Sequence, residues 1–207
     1  VLIDYIEISA PHYDQWPPKT HTDIFVESKN KGDEKLYGRE VLTGFMERVW
    51  RRPVTSQEVD QFMALFLKYR SEFNTFEEAM LEVLATALAT PEFLYVTQKL
   101  PASRSKSPKT ISDVELATRL SFFLWSSVPD EELRKLAQQG TLKDPKVLAA
   151  QVKRMLADSR SRRFSQHFVQ QWLGMDGLNS VTHVTDSSLR EAMREEPIAF
   201  FDEVLKR

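Results

Sequence analysis

Between Ile111 and Leu133 the chain carries a segment that admits few folds. Ser112 and Glu115 stand at the spacing of a capping box, with Ile111 and Leu116 at the two staple positions around it. Leu116, Ala117, Leu120, Phe123 and Leu124 then recur as one helical face. Phe122 and Trp125 lie off that face, so the predicted helix is apolar almost all round. Such a helix is stable only when other helices surround it, and both Phe123 and Trp125 are therefore expected to be buried. Val128-Pro129-Asp130 ends it and launches the next helix.

Composition narrows the function classes more than it names one. An apolar content of 42% and a charged content of 28% are ordinary for a globular protein. Only 6 glycines in 207 residues argue against phosphate-cradling loops and against a β fold rich in tight turns. With no cysteine, the chain has no disulfide, thiolate metal ligand, thiol nucleophile or covalent c-type haem attachment. A net charge of -2 points to no polyanionic partner. No apolar run reaches the roughly 18 residues of a membrane span.

Taken from the start, Leu2 to Ile8 reads as a strand, with only a short second possibility at Ile24-Phe25-Val26. A lone strand leaves its backbone groups unsatisfied, so its partners are expected in another polypeptide or another copy. Residues 1–32 thus read as the terminal strand and Pro-rich connector of an upstream β domain. Within the connector, Trp16 is expected to plug a groove. Helical patterning begins at Asp33, with Leu42, Phe45, Met46, Val49 and Trp50 on one face and Pro53 as the stop. Thr55 and Glu58 form the next capping box, opening a helix that buries Val59, Phe62, Met63, Phe66 and Leu67. Thr75 and Glu78 form a third, ahead of Met80, Leu81, Leu84 and Leu88, and Thr90-Pro91 caps a further short helix.

Residues 33–100 make a first helical bundle on this reading. Residues 101–110, where serines alternate with Arg104 and Lys106, read as a mobile linker that proteases cut first. A second bundle occupies 111–207. Its second helix runs from Asp130 to Gly140, and Asp144-Pro145 opens a third lined by Val147, Leu148, Val152, Met155 and Leu156. Asp158-Ser159 interrupts, and Phe164, Phe168 and Trp172 then recur at every fourth position until Gly174; their spacing marks them as core. Leu189 to Leu205, with Met193, Phe200, Phe201 and Val204, is the last helix, kinked at Pro197. Lys206-Arg207 brings no cap or breaker, so this bundle reads as C-terminally incomplete. The fold class is all-α: two consecutive helical bundles preceded by a single β-strand left from an upstream β domain.

Polar candidates for chemistry concentrate in the second bundle. Arg119, His167 and Glu196, if they converge in one cleft, suit anion binding or acid–base catalysis. The alternative is that each is a satisfied group at the edge of the core, with Arg119 paired to a carboxylate. His12, His21, His167 and His183 form no i, i+4 metal pair, and Asp176, Asn179 and Asp186 lack the spacing of a calcium loop. No metal and no cofactor is expected within this chain. Lys153, Arg154, Arg160, Arg162 and Arg163 form a basic run that invites a nucleic-acid reading. Asp158 and the acidic overall balance favour a solvated helix face or a helix-end dipole partner instead. Nucleophile-elbow, Walker and dinucleotide signatures are missing.

Two stretches carry a family resemblance. One is Arg51-Arg52-Pro53-Val54-Thr55 with Glu58-Val59 and Thr90-Pro91-Glu92-Phe93-Leu94-Tyr95. The other runs from Glu115 through Trp125-Ser126-Ser127-Val128-Pro129-Asp130 and resumes at Gln171-Trp172-Leu173-Gly174. Together they resemble the helical domains of large uncharacterised multidomain proteins abundant in planctomycete bacteria. In that family a cytochrome-c-like segment and a carbohydrate-binding-type β domain can precede the helical domains, and Tyr5 to Pro18 is similar to the exit from that β domain. The resemblance implies an exported or envelope-associated protein linked to polysaccharide or redox metabolism. Glu196 matches a glutamate that the family pattern places before paired phenylalanines, here Phe200 and Phe201. No Cys-x-x-Cys-His lies in this chain, so the resemblance places no electron transfer here.

The residues thus favour a helical scaffold or interaction module, partnered by the rest of its own polypeptide or by other subunits. Polysaccharide, if bound, is bound through domains outside this chain. The competing reading is a ligand-binding or catalytic helical domain that uses Arg119, His167 and Glu196.

Overall fold

The computed structural model describes residues 13–96 and 111–206. The expected strand at Val1–Ile8 and the expected linker at 101–110 lie outside those residues. Among the described residues the protein is all-α, with ten α-helices, three 3₁₀ turns and no strand. The possible strand at Ile24–Val26 is replaced by a turn, because the His21 carbonyl accepts from the Ile24 and Phe25 amides at 3.1 and 2.8 Å. Those two amides are then spent locally and cannot join a ladder. The described chain falls into two compact units, residues 13–47 with 54–95 and residues 48–53 with those from 96 onward.

The first unit contains α1 (Lys19–Thr22), most of α2 (Glu34–Val49), α3 (Ser56–Tyr69), α4 (Phe76–Leu88) and α5 (Pro91–Leu94). Asp33 opens α2 by accepting from the Lys35 and Leu36 amides. Both predicted capping boxes form in full: Thr55 with Glu58 at α3, and Thr75 with Glu78 at α4. Leu42, Met46, Phe66, Met80, Val83 and Leu84 fill the interior. Gly38 lets the helices close up, since a Cβ there would lie 3.2 Å from the Met80 Cε and 3.5 Å from the Met63 Sδ. Leu67, expected inside, and Leu81 are each about half exposed. Each borders its helix's buried stripe, so the apolar pattern is wider than the face that is covered. Trp16 corrects another expectation. It plugs no groove but is 77% exposed, its ring tilted against that of Tyr13.

α2 ends where the second unit takes up the chain. Arg51 adopts a positive φ of 59° there, and its guanidinium donates back to the Val49 carbonyl at 3.0 Å. The unit continues with α6 (Asp113–Trp125), α7 (Glu131–Gln138), α8 (Pro145–Ala157), α9 (Arg162–Trp172) and α10 (Ser187–Lys206). The Ser112–Glu115 capping box is complete. Asp130 caps α7 through the Leu133 amide, and Asp144 caps α8 through Lys146 and Val147. Gly140 and Gly174 take the positive φ values, 69° and 62°, at the ends of α7 and α9. Ala117, Leu124, Trp125, Leu133, Leu142 and Met155 form the core. α10 runs on through Pro197, whose ring nitrogen offers no hydrogen to the Met193 carbonyl.

Phe123 departs from expectation, being 62% exposed, while Trp125 on the same helix is fully buried. The helix is apolar on more sides than the unit covers. Phe123→Ala therefore costs only about 1 kcal/mol, the worth of an aromatic pair contact. A larger drop in urea-unfolding free energy would place Phe123 in a core. Ser112→Ala, which removes the cap, costs about 0.5–2 kcal/mol in the same assay.

Candidate functional site

Trp125 organises the polar chemistry of the second unit. Its indole Nε1–H donates to the Met155 carbonyl at 2.9 Å. Met155 lies in the last turn of α8, where carbonyls lack intrahelical partners, so the indole caps that helix end. The Ser161 hydroxyl does the same for Leu156, donating at 2.8 Å. The Arg160 guanidinium covers the indole 3.5 Å from the ring centroid, with Arg154 at 5.5 Å. Arg154 donates twice to Asp130, at 2.6 and 3.1 Å, and Arg160 donates twice to Asp158, at 2.9 and 2.7 Å. Gln151 completes the set, donating to Glu132 at 2.7 Å and accepting from Arg154 at 2.9 Å.

These contacts account for most of the basic run. Arg162 pairs with Glu195, and Arg163 donates to the Trp125 carbonyl at 3.1 Å. Arg154, Arg160, Arg162 and Arg163 thus each have a partner within the protein.

The carboxylates respond in kind. The hydrogen bonds from Arg160 hold the Asp158 carboxyl down at about 2. Burial alone would push Asp130 up, but the Arg154 hydrogen bonds and the Leu133 amide outweigh it and hold that carboxyl below its ordinary value. A depressed folded-state value means that the stabilisation is present at neutral pH. It is lost as pH falls from the ordinary aspartate value of 3.8 through about 2. Asp158→Asn keeps a side-chain acceptor for the Arg160 amide but removes this charge. Urea titrations of the variant should show a shallower loss of stability between about pH 4 and about pH 2 than the parent shows. Equal slopes would mean the pair contributes nothing.

A second feature is an aromatic face. Phe123 lies 4.8 Å from Phe164, which is succeeded along α9 by Phe168 at 5.6 Å and then by Trp172, 5.8 Å further. Phe201 of α10 stacks on Phe168 at 5.2 Å. The predicted four-residue spacing is real, but its expected burial is not: Phe168 is 41% exposed and Trp172 68%. The reason lies in what α9 turns inward. Ser165 and Val169 are its buried residues; Val169 packs with Met175 and Ile198, and the Ser165 hydroxyl donates to Asp202 at 2.7 Å. Small side chains seat α9 against α10, and the large rings flank that seam.

The three residues singled out from the sequence are all exposed. Arg119 lies on α6, His167 on α9 and Glu196 on α10, and no hydrogen bond or ion pair joins any two of them. The nearest approach to a nucleophile is elsewhere. Ser126, in a left-handed conformation with φ 50°, has its Oγ 3.4 Å from His167 Nδ1. Among the described residues no carboxylate orients that imidazole, so the nucleophile–base–orienter set is incomplete. Sequence spacing gave no sign of this contact, which joins residues 41 apart.

The first unit has a shallow cleft of about 230 Å³ lined by His21, Phe25, Tyr37 and Phe76 together with Glu27, Lys31, Glu34 and Glu77. Its volume falls below the roughly 300–1,000 Å³ of small-molecule sites. Most of its charges are already neutralised, Lys31 pairing with Glu27 at 2.6 Å and Glu34 with Arg70 at 2.7 Å. Among the described residues no group of three or more His, Cys, Asp or Glu side chains is placed to hold a metal ion. No helix among them is long and apolar enough to cross a membrane.

Fold and site together define an all-α module with an aromatic surface. Residues 111–207 match the family PSD4, described as a protein of unknown function (DUF1592). Residues 37–98 match PSD5, described as a protein of unknown function (DUF1595). No curated protein and no solved structure matches the chain.

Proposed function

We propose that this chain is a non-catalytic helical interaction module, with residues 33–100 and 111–207 as successive parts of a larger exported multidomain protein. The observation that carries the reading is the aromatic face of the second unit. Phe123, Phe168 and Trp172 form a continuous row of ring contacts with Phe164 and Phe201, yet they remain exposed. A contiguous apolar surface of this kind marks an interaction site rather than ordinary scatter of surface hydrophobes. Aromatic rings are also the side chains that dominate binding energy at interfaces. Two consecutive family matches support the multidomain context, and the cell-envelope location rests on the sequence resemblance to planctomycete proteins alone.

Site-specific photo-crosslinking tests the proposal. A benzophenone amino acid is placed at Trp172 or, as a control, at the exposed Lys135 on α7, in cells that make the protein natively. Covalent adducts form from position 172 and not from 135. Adducts from neither position, or equally from both, would overturn the assignment of this face.

A further inference from the structure

We draw no further inference here: the strongest candidate, the exposed apolar face of α10 made by Leu189, Met193, Phe200 and Val204, carries none because nothing in the structure shows what covers it.

Discussion

Trp125→Ala is expected to lower the unfolding free energy of the second unit by about 3–5 kcal/mol, as large-to-small changes at fully buried aromatic positions do. Three separate contributions go at once. The ring is completely buried, so the substitution opens a cavity among Leu124, Leu133 and Met155. The Met155 carbonyl loses the indole N–H that satisfied it at the end of α8. Arg160 and Arg154 lose the aromatic surface they cover. Trp125→Phe separates these effects, because it keeps most of the volume and drops the hydrogen bond. It should fall between the parent and Trp125→Ala in urea unfolding. An alanine variant no weaker than Phe123→Ala would remove Trp125 from the centre of the unit.

Asp130→Ala is expected to cost about 2–4 kcal/mol, since it removes a helix cap and one partner of a half-buried ion pair together. The Asp130 carboxylate accepts from the Leu133 amide at the start of α7 and from Arg154 twice. Its side chain is only 24% exposed and that of Arg154 31%, so solvent cannot fully replace the pairing. Asp130→Asn retains an oxygen for the cap and removes the charge, so it should lose roughly half as much. Equal losses for the two variants would show that the charge, not the cap, carries the whole effect.

The starts of the helices were legible in the sequence because capping is local. Ser112 with Glu115, Thr55 with Glu58 and Thr75 with Glu78 lie three residues apart, and each box closes as read. Asp144 before Pro145, and Gly174 after Trp172, are equally local signals. What the sequence could not tell is which apolar face another helix covers. Phe123 and Trp125 are two residues apart on one helix, and periodicity alone treats them alike; tertiary packing buries one and leaves the other out. Phe168 and Trp172 repeat the lesson, since the residues that seat α9 are the unremarked Ser165 and Val169. The Asp130–Arg154 pair was hidden for a different reason. Its members lie 24 residues apart, and no spacing rule links them. The acidic residues set among the arginines were the only sequence-level hint that the basic run is used internally.

An interaction module of this kind requires an aromatic face that is open in the isolated chain and covered in the cell. Hydroxyl-radical footprinting reads this directly by comparing the oxidation of Trp172 with that of Trp125. In the purified chain Trp172 should oxidise rapidly while Trp125 is protected, as their exposures of 68% and 0% require. In cells that make the protein natively, Trp172 should become protected too. Trp172 oxidising as fast in those cells as in the purified chain would contradict the interaction module proposed here.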